Sequence, residues 1–372
     1  MEIIVVSLVS LVITLLITPW VIKIANKYGL VDDPTKRPHP AHIQPRIIPR
    51  AGGLAIFVGI VITSLIFLPI QKYLIGIYGG ITILLIVGLI DDKSIKFNPY
   101  LRLGLMFLAA ASAVGAGIGI SFITNPLSVL TFLPVNWVQP IIRLDEIVYS
   151  VNFYGIHNII LIADVFALLW IVTLTQIINW SKGVDGQMPG ITLMTALTLG
   201  LLSLKFYAEG DITQLNFAKL SFITAGTSLA FLIFNWHPSK ILPGFSGSTI
   251  LAYMLAVLAI LSGAKVATAL LVLVLPAIDF VYTFFRRILS GKSPVWGDRG
   301  HLHHKLLDLG WSHQKISLFY ILVSGMFGAI ALLVNSEGKL FASIIAAVVF
   351  ISFILWLNSA GELSGPQDPD NG

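Results

Sequence analysis

The sequence predicts an all-α integral membrane protein, a polytopic bundle of about eleven transmembrane helices. Hydrophobic residues make up 56% of its 372 residues, and charged residues only 11%. The mean hydropathy of +0.89 is far above that of a soluble chain. The apolar residues are grouped into runs of about 20, the length that a helix needs to cross the hydrocarbon core. We expect one transmembrane domain over residues 1–357 and a disordered tail over 358–372.

Each helix is predicted from one apolar run that can satisfy its own backbone hydrogen bonds in lipid. The first run has no basic segment before it, so it should remain as a span and not be cleaved. Residues 125–157 form the longest outer segment, whose composition favours a short hairpin or an interfacial helix. The absence of cysteine excludes disulfides and thiolate metal sites. The runs begin near residues 3, 52, 74, 101, 159, 190, 216, 247, 266, 316 and 339.

Charge distribution predicts the orientation. Most of the 23 lysines and arginines fall in one alternate set of loops, which the positive-inside rule places in the cytoplasm. The N-terminus should therefore lie outside and the C-terminus inside. The pI of 9.3 is then mainly a topology signal, and no nucleic-acid partner is expected. Because the same loops carry the compact polar motifs, we expect a functional site on the cytoplasmic face of the cell membrane.

The most informative of these loops reads Asn-Trp-Ser-Lys-Gly-Val-Asp-Gly from Asn179. Gly183 and Gly186 flank Asp185 and allow the backbone to approach a ligand closely. An ordinary Gly-Asp-Gly turn is the alternative.

Asp91 and Asp92 directly follow an apolar run and so stand at a helix C-terminus, where the macrodipole disfavours negative charge. A bound cation, a nearby lysine or a raised pKa would offset this cost, and a raised pKa would make one acid a usable base. A solvated stop-transfer pair is the alternative.

Two further loops carry cations and histidines. Residues 32–53 include Lys36 and Arg37, which suit phosphates but also serve as ordinary positive-inside anchors. The loop after Arg287 contains a cluster that fits phosphate better than metal, because it holds few carboxylates. Its members are Arg299, His301, His303 and His304.

Two acids, Asp164 and Asp279, fall inside predicted helices, where a carboxylate is costly and by default functional. We interpret Asp279 as structural, paired with a cation from another helix. Asp164 has no motif around it.

In order along residues 30–310, these loops resemble those of the polyprenyl-phosphate N-acetylhexosamine-1-phosphate transferases. The Asn179 loop is similar to the family's Asn-x-x-Asp-Gly-x-Asp-Gly. The Asp-Asp pair, a Phe-Asn-x-x-Pro-x-Lys stretch at Phe234 and the His-x-His-His pattern at His301 also match. Two positions depart: Lys182 and Phe245 stand where the family has aspartates, the second of them a magnesium ligand.

The resemblance implies transfer of N-acetylhexosamine 1-phosphate from a UDP-N-acetylhexosamine to polyprenyl (undecaprenyl) phosphate, releasing UMP. This would be the first membrane step of a cell-envelope glycan pathway. It assigns catalysis to Asp91, Asp92 and Asp185, to which we add Lys182 at its departing position, and a Mg²⁺ or Mn²⁺ site to Asp91, Asp92 and Asp185. It assigns substrate binding to Asn179, Asn235, Lys36, Arg37, Arg299, His301, His303 and His304.

The departures leave two mechanisms open. Either Asp91, Asp92 and Asp185 form a rearranged metal site, or the Lys182 ammonium partly replaces the metal. In a different functional class, a catalytically silent relative would bind lipid phosphate or nucleotide sugar, or scaffold a glycan-assembly complex. A transporter is disfavoured because the sequence has no internal repeat. The oligomeric state is open, with a homodimer as one candidate.

Overall fold

The computed structural model describes residues 1–35, 46–94, 97–125, 127, 139, 141–152, 156–263, 265–293 and 299–363. The helices are α1 Glu2–Tyr28, α2 Gly52–Phe67, α3 Lys72–Lys93, α4 Pro99–Gly115, α5 Leu161–Trp180, α6 Gln187–Ala208, α7 Gln214–Asn235, α8 Gly244–Leu261, α9 Lys265–Val272, α10 Val274–Leu289, α11 Leu302–Asp308, α12 His313–Leu333 and α13 Ser336–Leu363. The strands are β1 Val31–Asp32, β2 Ile48–Pro49, β3 Phe122–Thr124, β4 Ile141–Arg143, β5 Val148–Asn152 and β6 Ile156–Ile160.

The prediction of a helical multi-pass membrane protein is confirmed. Within the described ranges, eight helices are individually long and apolar enough to cross a membrane: α1, α3, α5, α6, α7, α8, α12 and α13. Helices α9 and α10 form a further candidate, bent by 88° at their junction. Helices α2 and α4 are apolar but have only 16 and 17 residues. The number of crossings and the orientation of the termini therefore stay predictions.

Helix α8 is the centre of the bundle. In its apolar window 89% of the residues are buried within the protein, against 22% for α1 and for α13. It packs against α2, α3, α5, α6 and α7. A helix that is apolar all round suits such a position. Its first residues are thereby held at the middle of one end of the bundle, where the functional loops meet.

Small residues allow the helices to approach closely. A Cβ on Gly59 would overlap Thr14, and one on Gly226 would overlap Ser10. Hydroxyl groups inside the helices bond to the carbonyl four residues earlier, as Thr175 does with Ile171 at 2.6 Å. Close contact and internally satisfied hydroxyls are what helix packing in lipid requires.

Three antiparallel pairs close the longer loops. β3 pairs with β4 and β5 with β6, which agrees with a hairpin, one of the two structures expected for residues 125–157. At the other end β1 pairs with β2, with Val31 opposite Pro49. This short pair brings the residue after β2, Arg50, back to the start of the first loop.

The structure adds detail at the ends of two helices. Asp164 lies in the first turn of α5, where its carboxylate accepts the Ile160 amide at 3.0 Å, so the helix dipole favours its charge. Helix α13 continues to Leu363, past the predicted tail boundary. Its end is held because Asn358 accepts a hydrogen bond from Lys305 and donates one to the Tyr282 hydroxyl.

Candidate functional site

The site is built around the contact between the end of α3 and the start of α8. Asp92 is completely buried and accepts hydrogen bonds from the Phe245 amide at 2.7 Å and the Ser246 amide at 3.2 Å. The Ser246 hydroxyl adds a bond at 2.7 Å. Amides at a helix N-terminus carry partial positive charge and suit an anion. The cost of an acid at the C-terminus of α3 is thus offset by the N-terminus of α8.

A glycine makes this contact possible. Gly244 has φ +68°, in the left-handed region, and a Cβ at this position would overlap the Asp92 carboxylate. Any larger residue would be both strained and sterically blocked. Gly244, the first residue of the Gly-Phe-Ser-Gly-Ser segment, is therefore required for the contact between α3 and α8.

Arg50 joins the first loop to the acidic pair. Its Nε lies 3.0 Å from Asp92 Oδ1, and its guanidinium nitrogens lie 3.4 Å from Asp32 and 3.9 Å from Asp91. Burial disfavours the charged form, but Asp92, Asp32 and Asp91 outweigh it and raise the pKa of Arg50. Arg50 is therefore a fixed cation shared by three carboxylates.

Asp91 has its own arginine. Arg102, in the first turn of α4, donates to Asp91 Oδ1 at 3.2 Å. The Asp91 side chain is only 8% exposed, whereas that of Arg102 is 27% exposed. Arg102 is therefore the more accessible partner of this ion pair.

Lys182 points into the same place from the α5–α6 loop. Its Nζ lies 2.8 Å from Asn179 Oδ1, 3.3 Å from the Gly244 carbonyl and 3.3 Å from the Ser248 hydroxyl. Burial lowers the pKa of Lys182 to about 7, and the charge of Arg50 acts in the same direction, against the raising effect of the two aspartates. Lys182 is thus a cation whose charge is sensitive to pH near neutrality.

Phe245 occupies the position where the resembled pattern has an acid. It is buried, and its ring centroid lies 4.9 Å from the Arg102 guanidinium and 5.5 Å from Lys182 Nζ. Cations at these distances are attracted to the face of an aromatic ring. The phenylalanine therefore lies beside two cations of the site, Arg102 and Lys182.

Asp185 belongs to a second cluster in the same loop. Its Oδ2 lies 2.7 Å from His237 Nδ1 and accepts the Ser239 amide at 3.2 Å. The His237 ring stacks on His313 with centroids 4.4 Å apart. Among the described residues, Asp185, His237 and His313 are the only group of at least three His, Asp or Glu side chains whose ligand atoms all lie within 4.8 Å.

Asn235 connects two loops through backbone groups. Its side-chain oxygen accepts the Gly186 amide at 3.0 Å, and its nitrogen donates to the Ile241 carbonyl at 2.9 Å. The residue is buried. Its predicted substrate contact is untested, and the observed bonds show a role in holding the two loops together.

The histidine cluster is anchored by Asp279, which accepts from Leu302 N at 2.7 Å and lies 2.9 Å from His301 Nδ1. The interpretation of Asp279 as a paired structural acid agrees with this contact. Burial lowers the pKa of His303 well below its usual value, and burial followed by the His301 charge lowers that of His304 to about 4. Without a bound anion these two imidazoles are therefore uncharged at neutral pH, and their predicted phosphate contacts stay predictions.

The remaining predicted residues are less central. Arg299 pairs with Asp308 at 2.9 Å, and both side chains are more than half exposed. Lys36 and Arg37 lie outside the described residues, so their predicted phosphate contacts stay predictions.

The donors around the acidic pair do not fit a divalent metal. Mg²⁺ requires several oxygen ligands in near-octahedral geometry, but Asp92 is bonded to two amides, a hydroxyl and Arg50. Asp91 is paired with Arg102, and Asp185 is not within a common ligand group with either acid. A shared site of the three acids would need their side chains to rearrange, and it stays a prediction.

Sequence reasoning did not assign several residues that the fold brings into the site. Arg50, Ser246 and Ser248 form its polar contacts, and His237 and His313 form the second cluster. The signal for the serines was the Gly-Phe-Ser-Gly-Ser segment at the start of an apolar run. Nothing local distinguishes Arg50 from the other cations of its loop.

The contact between the α5–α6 loop and the histidine cluster can be tested at Gly183. A Cβ there would overlap the ring of the buried His303. We expect Gly183→Ala to lower the free energy of unfolding by about 1–3 kcal/mol, the usual effect of overpacking. Gly104→Ala is the control, because nothing lies within 4 Å of its Cβ position. Equal stability of the two variants would contradict the contact.

The sequence of this chain is similar to those of known transferases. The sequence model described as Glycosyl transferase family 4 matches residues 74–263. A "Probable undecaprenyl-phosphate N-acetylglucosaminyl 1-phosphate transferase" of Bacillus subtilis (strain 168) is 30% identical, over 98% of this chain and 92% of the relative. A "Decaprenyl-phosphate N-acetylglucosaminephosphotransferase" of Mycolicibacterium smegmatis is 28% identical, over 96% and 88%. A "Phospho-N-acetylmuramoyl-pentapeptide-transferase" of Moorella thermoacetica is 24% identical, over 75% and 82%.

Proposed function

Because this chain belongs to glycosyl transferase family 4, we propose that it transfers N-acetylhexosamine 1-phosphate from a UDP-sugar to polyprenyl phosphate. The products are polyprenyl-diphosphate-N-acetylhexosamine and UMP. The observation that carries the proposal is the meeting of four segments at the start of α8: Arg50 and Lys182 come from two loops, Asp92 from the end of α3 and Ser246 from the first turn of α8, and they share one polar centre.

The position of this centre suits the two substrates. It lies at one end of an apolar bundle, so a lipid with an isoprenoid tail and a water-soluble nucleotide sugar can reach it from different phases. The surrounding cations, Arg50, Arg102 and Lys182, are the groups that bind phosphates in proteins.

The reaction needs charge stabilisation more than proton transfer. An oxygen of the lipid phosphate attacks the sugar-bearing phosphorus, and the bond from that phosphorus to the oxygen shared with UMP breaks, its electron pair leaving with UMP. A phosphate monoester has a second pKa near 6, so at neutral pH the nucleophile needs no base. Asp92, with its bonds already made, holds the α8 N-terminus and Arg50 in place.

A divalent metal supplies charge neutralisation in many phosphoryl transfers. The Mg²⁺ expected from the resemblance does not fit the donor set described above, and no step is assigned to it. The catalytic roles predicted for Asp91 and Asp185 stay predictions.

We place the active site on the cytoplasmic face of the cell membrane. Arg50, Arg102 and Lys182 lie at the site's end of the bundle, whereas Lys205, in the last turn of α6, lies at the other. The excess of cations at the site's end supports this orientation under the positive-inside rule.

A second candidate follows from the two substitutions at Lys182 and Phe245. A relative that binds a nucleotide sugar or lipid phosphate without turning it over would need the arginines for binding. It would not need the two aspartates that Lys182 and Phe245 replace. Turnover separates the two functions.

The test is UMP release by the purified full-length protein with undecaprenyl phosphate and a panel of UDP-N-acetylhexosamines, together with recovery of a lipid-linked sugar. We expect both products, and neither when the lipid is omitted. Arg102→Met should reduce kcat/KM by roughly 10- to 100-fold, as loss of a charged hydrogen bond does. Arg143→Met is the control, because this exposed arginine lies on the hairpin at the other end. Absence of both products with every donor would favour the binding function.

A further inference from the structure

The two acids at the end of α3 are already occupied by arginines. Arg50 Nε lies 3.0 Å from Asp92, and Arg102 lies 3.2 Å from Asp91. Removing either arginine to admit a metal would break a largely buried ion pair, which is strongly unfavourable. The geometry therefore indicates that Asp91 and Asp92 serve as ion-pair partners of Arg102 and Arg50, not as metal ligands.

Lys182 differs from the arginines in its partners. Its three hydrogen bonds go to neutral oxygens, on Asn179, Gly244 and Ser248. Within the part of the chain that the structure describes, no carboxylate makes a salt bridge with it. Its charge is thus held in position without being neutralised by direct contact.

Phe245 completes the arrangement. Its ring contacts both Arg102 and Lys182, so the two cations face the same buried apolar surface. Such a surface limits their hydration and strengthens their attraction to an anion. A phenylalanine offers no oxygen to a hard metal ion.

We propose that Arg50, Arg102 and Lys182 are the phosphate-binding group of this protein, acting in place of a divalent cation, with Asp91 and Asp92 positioning the arginines. The inference rests on the proposed function for its anion, the diphosphate of a nucleotide sugar. A lipid phosphate has the same chemistry and is tested separately.

Lys182 and Phe245, in place of two aspartates, change the charge of the site by about as much as a magnesium ion would. Relative to an aspartate, a protonated lysine at 182 adds two units of positive charge and phenylalanine at 245 adds one, whereas a magnesium ion adds two. Arginines also bind phosphate oxygens in pairs, with fixed geometry. Neutralisation by the chain itself is therefore comparable to that by the metal.

The experiment measures binding by calorimetry, with the full-length protein in phosphatidylcholine nanodiscs, in EDTA and in Mg²⁺. The probes are UDP-N-acetylglucosamine, UMP and a short-chain polyprenyl phosphate. The variants are Lys182→Met, Lys182→Arg and, as the control, Lys205→Met, which removes an exposed lysine at the far end of α6.

We expect the wild type to bind UDP-N-acetylglucosamine equally in EDTA and in Mg²⁺. Lys182→Met should weaken binding by roughly 10- to 100-fold, the effect of one charged hydrogen bond. Lys182→Arg should retain most of the affinity, and Lys205→Met all of it. The probe that responds to Lys182→Met identifies which phosphate the group binds.

Binding by the wild type only when Mg²⁺ is present would overturn the inference, as would equal affinities of Lys182→Met and Lys205→Met. The double variant Lys182→Asp with Phe245→Asp gives an independent test, because it should bind the nucleotide sugar only with Mg²⁺. Metal-independent binding without UMP release would support the phosphate group while contradicting the proposed transferase function, so the two failures are distinguishable.

Discussion

Asp92→Ala should lower the free energy of unfolding by about 3–5 kcal/mol, the cost of removing one partner of a buried ion pair. The change removes the acceptor for two α8 amides and for Ser246, and it leaves Arg50 without its closest carboxylate. Buried donors without acceptors lose their solvation and gain nothing in return. Because α8 is the central helix, we expect the loss to spread through the end of the bundle where the site lies.

The measurement is unfolding by SDS titration of the protein in mixed micelles, followed by tryptophan fluorescence. Asp145→Ala is the matched control, because that acid also pairs with an arginine, Arg143, but at the surface, where ion pairs contribute little. A loss for Asp92→Ala as small as that of the control would contradict the structural role. It would show that Arg50 can rely on Asp32 and Asp91 instead.

The bundle itself could be predicted from sequence because its signal is local. Each apolar run contains its own length and hydropathy, and each run corresponds to a helix or, for α9 and α10, to a bent pair. The bend was not predicted, although Pro276, which has no amide hydrogen to donate to the carbonyl of Val272, lies three residues after the junction at Leu273. The end of α13 was missed because Asn358 is held by Lys305 and Tyr282, which are remote in sequence.

The sequence predicted many of the residues of the site, but not which of them contact each other. The cost of placing Asp91 and Asp92 at a helix end was evident from sequence, and a nearby cation was among the expected remedies. In the structure, the charge of Asp92 is stabilised by the Phe245 amide, 153 positions away, and by Arg50. Nothing in the first loop favours Arg50 over Lys36 or Arg37. Only the β1–β2 pairing selects it.

Substrate affinity should fall as the pH rises above about 7, by about tenfold per pH unit in the limit where Lys182 supplies the binding charge. A lysine whose pKa is lowered to about 7 is charged below that pH and neutral above it. The lipid phosphate gains its second charge near pH 6. UMP release at low substrate should therefore rise through about pH 6, where the lipid phosphate ionises, and decline beyond about 7, where Lys182 loses its proton.

The same pKa shift has a consequence for stability, with the opposite dependence on pH. Between about 7 and the ordinary value of 10.5, the unfolded chain binds the Lys182 proton and the folded chain does not. Stability must then rise with pH across this window, since the unfolded state binds more protons.

Lys182→Arg keeps its charge at all these pH values, so it should abolish both the decline in affinity and the gain in stability. The measurement is the pH profile of UDP-N-acetylglucosamine binding and of unfolding, with Lys205→Met as the control. An affinity that stays flat across about two units above neutrality in the wild type would show that Lys182 does not carry the binding charge.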